Sequence, residues 1–208
     1  MKTFTFKNGA VDYIKASLVA MGKNDVSYHL NSLCIDCTED NPVIVATDGY
    51  RFTKSNLQWD VTIESDTHEF GKWILSREAC EWIAKLKRPK PLPQNYTGLE
   101  VTVTFHPDHV VCSSGGESKR FGVIDSRFPD WRWLIPAELA ESVEPMFLNS
   151  SHLADVDRWA GLITNGSKFK VVHILPHCDK KIVFKTQLGD GHIYLLMQCR
   201  DFKASKTK

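Results

Sequence analysis

The sequence has no apolar run beyond a few residues, far short of the roughly 20 that a membrane-spanning helix needs. Its first ten residues, MKTFTFKNGA, lack the apolar core of a secretory leader. An excess of one charge is missing too. The 26 basic and 25 acidic residues leave a net charge of +1. That excludes a protein that grips nucleic acid by global basicity, although a local basic surface stays open. Cysteine is sparse: Cys34, Cys37, Cys80, Cys112, Cys178 and Cys199, with one CxxC at Cys34 and Cys37 and no second. These two lie in the strand-like run SYHLNSLCIDCT, where positions i and i+3 face opposite sides of a sheet. They read as small buried hydrophobes rather than a zinc or redox pair.

Catalytic and ligand motifs are equally scarce. The stretch SSGGESK, from Ser113 to Lys119, lacks the spacing of a phosphate loop and stands between strands, so a hairpin turn is expected. His173, His177 and Cys178 have no fourth ligand at a sensible spacing for zinc. No metal, cofactor or catalytic residue is therefore expected, and the chain is not read as an enzyme. What is present is a 208-residue chain, 42% hydrophobic and 25% charged, the composition of a soluble globular protein. It is read as cytoplasmic.

The same event occurs three times along the chain. A short alternating strand ends at a small polar residue, a helix of about three turns follows, and then come strands. The first strand spans Thr3 to Lys7, and its helix carries Val11, Ile14, Leu18 and Met21. Strands follow at Tyr28 to Cys37, Pro42 to Lys54 and Leu57 to Ile63. The second opens with Phe70 to Leu75, and Ser76 is a suitable N-cap. Its helix buries Ala79, Trp82, Ile83 and Leu86, and Pro89, Pro91 and Pro93 stop it. Strands then run at Leu99 to Phe105, His109 to Ser113 and Arg120 to Asp125. The third opens with Pro145 to Leu148, capped by Asn149 or Ser150. Its helix presents Leu153, Val156 and Ala160, with Gly161 as a stop. Strands follow at Phe169 to Leu175, Lys181 to Thr186 and His192 to Cys199. One such unit cannot close its own core and must pair with another. Units one and two make a complete domain, whereas unit three has no partner within the chain.

Two motifs carry a resemblance. Tyr28-His29-Leu30-Asn31, leading into VATDGYRF (45–52), is similar to the YLN…VATDGHRL of the bacterial DNA polymerase III beta subunit, the sliding clamp. RFPDWRWLIP (127–136) is similar to that family's RFPDYRRVLP, in the same order and at a fitting separation. From Ala137 onward, FLNSSHLADVDRW and IYLLMQCR resemble the final helix and closing strand of the family's third domain. The resemblance implies an α+β sliding-clamp fold of three repeated β-α-β-β-β half-domain units. Residues 1–136 would be a complete domain like the family's second, and residues 137–208 half of one like its third. A typical member has six half-domains, so three are absent here.

Clamps of this family are rings that hold a polymerase on DNA and take partner peptides, rich in leucine and phenylalanine, in an apolar groove. The resemblance implies that Thr47, Gly49, Tyr50, Arg51 and Phe52 form one wall. Pro129, Trp133 and Leu134 form another, and Leu195, Met197 and Cys199 come from unit three. The residues suit this: Asp48-Gly49 is a turn signal, and the remainder is mostly apolar with few polar anchors. A plain hairpin turn and an ordinary core tryptophan would use the same letters. Tyr50 replaces a family histidine, Trp133 an arginine, and Gln198-Cys199-Arg200-Asp201 a PMRL-like end, which puts the partner's identity in doubt. The family also implies a pore lined by basic helix residues. Candidates are Lys15, Lys23, Arg77, Lys85, Lys87, Arg88, Lys90 and Arg158, contacting double-stranded DNA through its backbone without sequence preference. The expected partners are a polymerase, a clamp loader or other proteins with clamp-binding motifs. A homo-oligomer, dimer or tetramer, is expected. The competing reading is a decoy that binds clamp partners, or a host clamp, without encircling DNA.

Overall fold

The computed structural model describes residues 1–7, 9–65, 71–87, 99–136, 146–164, 170–177, 181–186 and 191–198. In chain order the elements are β1 (Lys2–Lys7), α1 (Gly9–Ser17), β2 (Ser32–Asp36), β3 (Val43–Thr47), β4 (Arg51–Asn56) and β5 (Val61–Ser65). Next come β6 (Lys72–Ser76), α2 (Arg77–Lys85), β7 (Glu100–Phe105), β8 (His109–Ser114) and β9 (Glu117–Gly122). Last are α3 (Ser150–Ile163), β10 (Val172–His177), β11 (Lys181–Thr186) and β12 (His192–Met197). Short 3-10 turns lie at Tyr28–Asn31, Gln58–Asp60 and Trp131–Leu134.

The strands make two antiparallel sheets, β5-β1-β7-β8-β9 and β10-β11-β12-β4-β3-β2-β6. Units one and two interlock by exchanging their first strands. β1 of unit one pairs with β7 of unit two, with Phe4 opposite Val103 and Phe6 opposite Val101. β6 of unit two pairs with β2 of unit one, with Leu75 opposite Leu33 and Trp73 opposite Ile35. Helices α1 and α2 cover the inner faces of both sheets. Ala10, Val11, Ile14, Ala79, Cys80 and Ile83 pack there against Phe4, Phe6, Leu33, Ile35, Val101 and Val103.

Local chemistry places these elements. The Ser76 hydroxyl accepts from the Ala79 N–H at 3.2 Å, and the Asn149 side chain accepts from the Ser151 N–H, so both helices start at capped residues. The turn of the SSGGESK hairpin is Gly115-Gly116, with φ +57° and +87°, the positive angles that a two-residue hairpin turn requires. Cys34 packs on the outer face of the seven-stranded sheet and Cys37 on the helix side. Burial pushes their thiols up, to about 12 and about 11, so both stay protonated and inert.

Several expectations change. The run Pro42 to Lys54 is two strands, β3 and β4, because Asp48-Gly49 folds it back on itself. The strand expected at Arg120 to Asp125 lies earlier, as β9. Regular helix ends at Ser17, and Leu18, Val19 and Ala20 continue as tighter turns bonded to Lys15, Ala16 and Ser17. Trp82 and Leu86 are only partly buried. Gly161 does not stop α3, which runs on to Ile163. Leu153 is 44% exposed rather than core. Residues 146–149 form no strand. Unit three does have a neighbour in the chain: β12 pairs edge to edge with β4, with Leu195 opposite Phe52. α3 packs on α1 beside α2, so the three helices stand in a row with α1 in the middle.

Candidate functional site

The β12–β4 junction creates an apolar patch on the sheet face that carries no helix. Cys34, Val43, Val45, Phe52, Val183, Ile193 and Leu195 form its floor. The chain after β9 crosses this floor. Phe128 and Trp131 cover one part of it, and Leu134, Ile135, Leu175 and Met197 border the rest. Trp131 is 4% exposed and its ring stacks on Phe52, with centroids 6.2 Å apart.

A buried carboxylate anchors the crossing segment. Asp36 Oδ2 accepts from the Trp131 indole N–H at 2.8 Å and from the Arg132 guanidinium at 3.3 Å. Its Oδ1 accepts from the Thr38 hydroxyl and N–H at 2.5 and 2.9 Å. Burial alone would raise the Asp36 pKa. The hydrogen bonds from Thr38 and Trp131, with Arg132 nearby, outweigh it and hold the carboxyl below its ordinary value. Arg132 also lies over the Trp131 ring at 4.6 Å and bonds Glu39. Each oxygen of a carboxylate taken out of water has donors, as a buried charge demands.

The hairpin between β3 and β4 is tightly determined. Thr47 Oγ1 accepts from the Gly49 N–H at 3.1 Å and donates to the Arg51 carbonyl at 2.8 Å. Asp48 Oδ1 accepts from the Tyr50 and Arg51 N–H groups, both at 3.0 Å. Gly49 has φ +86°, which a side chain would oppose. The Tyr50 carbonyl accepts from the Met197 N–H at 2.9 Å, so the turn is stitched to the end of β12.

Of the eleven residues expected at the groove, the structure brings Phe52, Leu134, Leu195 and Met197 into one cluster. Phe52 and Leu195 are fully buried floor, while Leu134 and Met197 are partly open. Tyr50 is 66% and Trp133 82% exposed, so both offer aromatic surface to solvent. Gly49 and Pro129 are exposed, and Thr47 is buried within the hairpin. Arg51 does not join the apolar patch. It alternates with Phe52 along β4, so it points toward the helices and bonds Asp48 and Asp155. Cys199 lies outside the described residues.

Sequence reasoning missed Trp131, Phe128 and Asp36. It also missed the cluster of Asp155 and His152 on α3 with Tyr194 on β12. The Tyr194 hydroxyl donates to the His152 carbonyl at 3.0 Å, and His152 lies near the Tyr50 ring. These contacts tie the hairpin turn to α3. Burial, then the Arg51 charge, lower the His152 pKa.

The basic candidates are scattered. Arg77 is committed to structure: its guanidinium donates to the Met21 and Gly22 carbonyls at 2.9 Å and to Glu81 at 2.7 Å. Lys15 bonds Asp12 at 3.2 Å. Lys23, Lys85, Lys87 and Arg158 are exposed, and Arg88 and Lys90 lie outside the described residues. Among the described residues there is no cluster of metal-ligating side chains, and no helix is long and apolar enough to cross a membrane.

Residues 7–130 match the family described as DNA polymerase III beta subunit, central domain. The chain is similar in structure to a DNA polymerase sliding clamp from Pseudomonas aeruginosa (TM-score 0.70, 16% identity), covering 96% of this chain and 66% of that one. It is similar to DNA polymerase III subunit beta from Borrelia burgdorferi, solved with a natural product (TM-score 0.71, 11% identity, 95% and 64% covered). It is also similar to the H. pylori beta clamp in complex with diflunisal (TM-score 0.69, 14% identity, 96% and 66% covered). At these identities the likeness is one of fold. The chain spans about two thirds of the length of the clamps it matches. No curated protein matches it by sequence.

Proposed function

Because the chain belongs to the bacterial DNA polymerase III beta subunit family, the sliding clamps, we propose that it acts without catalysis, docking replication or repair proteins on DNA. One observation carries this reading. The two stretches that resemble the family's motifs, 45–52 and 127–136, meet across one apolar floor at the junction with β12. A partner segment with leucine and phenylalanine side chains would rest on Leu134, Met197, Ile135 and Leu175, between the exposed rings of Tyr50 and Trp133. Apolar anchors in a desolvated patch supply most of the affinity in such contacts. Residues 1–136 serve as one complete clamp domain and residues 137–208 as half of another. Exposed Lys23, Lys85, Lys87 and Arg158 provide weak, backbone-directed contact to duplex DNA, since each tight phosphate contact would oppose sliding. The protein works in the cytoplasm as a homo-oligomer, with a polymerase or loader as partner.

The test is titration of a fluorescent clamp-binding peptide against wild type, Leu134→Ala and Met197→Ala, with the exposed Val26→Ala as control. The two groove variants should weaken binding about tenfold or more, as loss of an apolar anchor does. Equal affinity in all four would remove the site. A second reading, a decoy that captures clamp partners without encircling DNA, is favoured by the internal gap. Only nine residues, 137–145, stand where the family carries another half-domain. Retention on circular but not linear duplex supports the ring, and equal release from both supports the decoy.

A further inference from the structure

Among the described residues, unit three is the only unit whose segment before the helix pairs with no strand. Within units one and two the rule is explicit. The residues just before each helix cross over and pair with the first strand after the helix of the other unit. Residues facing the helices meet in order, Leu75 with Leu33 and Trp73 with Ile35, and likewise Phe6 with Val101 and Phe4 with Val103. Unit three has the corresponding parts and, among the described residues, no counterpart. Residues 146–149 precede α3 without forming a strand, and β10 is the outer edge of the seven-stranded sheet.

Its exposed apolar surface follows the same logic. On β10, Ile174 lies opposite Phe184, which faces the helices, yet Ile174 is 61% exposed. Leu153, the fourth residue of α3, is largely open, whereas Cys80, the fourth residue of α2, is fully buried in its paired unit. The seventh residues, Val156 and Ile83, are both buried. The face of α3 turned to its own sheet is therefore filled, and the flank where a second helix would stand is not. The nine residues between 136 and 146 are too few to supply another unit there.

We propose that a second copy of this chain completes unit three by a two-fold exchange. Residues 146–148 of each copy add to the β10 edge of the other, and the two α3 helices pack side by side. The in-chain register sets Leu148 opposite the second copy's Val172 and Met146 opposite its Ile174. Pro176, which has no N–H for a ladder, falls beyond the paired stretch. The contact is self-complementary, the commonest arrangement in homodimers, and it caps an edge strand that would otherwise invite stray pairing. Two chains joined in this way make three consecutive domains. The proposal deepens the homo-oligomer reading above and is independent of peptide docking.

Sedimentation velocity of the 208-residue chain at micromolar concentration should give twice the 23.6 kDa of one chain. Ile174→Glu, at a position open to solvent in the single chain, should halve that mass and keep the far-ultraviolet circular dichroism. The double variant Met146→Cys, Ile174→Cys should form a disulfide-linked two-chain species on oxidation, because directly opposed strand residues lie about 4.5–5.5 Å apart at Cβ. Either single variant should not. A strictly monomeric wild type would overturn the proposal, and so would a dimer that Ile174→Glu leaves intact. A monomer that still binds the clamp peptide would sink the exchange and leave the docking reading standing.

Discussion

Trp131 and Trp133 are two residues apart in one short 3-10 turn, and the structure gives them opposite surroundings, the first buried and the second open to solvent. Trp131→Phe keeps most of the stacking on Phe52 but removes the indole N–H that Asp36 accepts at 2.8 Å. A hydrogen bond to a charged group contributes about 1.5–3 kcal/mol, and an unmet buried acceptor costs a similar amount. Arg132, 3.3 Å from the same oxygen, and Lys72, 3.9 Å away, offset part of this. The net loss should be about 2 kcal/mol. With a urea m-value of about 2 kcal/mol/M, the unfolding midpoint falls by about 1 M. Trp133→Ala removes a ring that is 82% exposed, so its stability should change by less than about 0.5 kcal/mol. Its peptide affinity should nonetheless drop several-fold. Urea melts followed by circular dichroism, paired with the peptide titration, read both quantities. If Trp133→Ala destabilises as much as Trp131→Phe, the segment is seated the other way round and the groove assignment fails.

Arg51→Met breaks the ion pairs from the β3–β4 turn to Asp48 and Asp155 and should cost about 2 kcal/mol, less than a fully buried pair because water reaches both partners. Hydrogen exchange should report it as faster opening of α3 than of α2. His192 is held down to about 4, first by burial and then by the Lys54 charge. The unfolded chain therefore takes up a proton before the folded one does, between pH 6.5 and 4. Stability should be flat above that window and fall through it by up to about 1.4 kcal/mol per pH unit. His192→Gln should flatten the slope, and an unchanged slope would refute the assignment. The lowered Asp36 carboxyl acts in a separate range: its contribution is complete above its ordinary value of 3.8 and is lost at still lower pH.

Much of this was legible from residue types. Ser76 capped a helix, Asp48-Gly49 and Gly115-Gly116 made turns, and alternation set Cys34 and Cys37 on opposite faces, because each depends on backbone chemistry within a few residues. Alternation could also have turned Arg51 away from the groove, since it neighbours Phe52 on β4. What could not be read was decided by partners distant in sequence. Nothing local distinguishes Trp131 from Trp133; the choice rests on Asp36, ninety-five positions away. The pairing of β12 with β4 was hidden for the same reason, as strand composition says that an edge exists but not which edge meets it. The segment Pro145 to Leu148 reads as a strand by composition, whereas residues 146–149 form none, since a strand also needs a neighbour to take its hydrogen bonds.

Under the proposed function, partner peptides enter at the junction of β4, β12 and the 127–136 segment. A clamp-binding peptide carrying a photo-reactive phenylalanine analogue, cross-linked to the chain and mapped by mass spectrometry, tests it most directly. Cross-links should fall on Tyr50, on residues 133–135, on Leu175 and on Met197. Adducts confined to α1, α2 or the five-stranded sheet would contradict it.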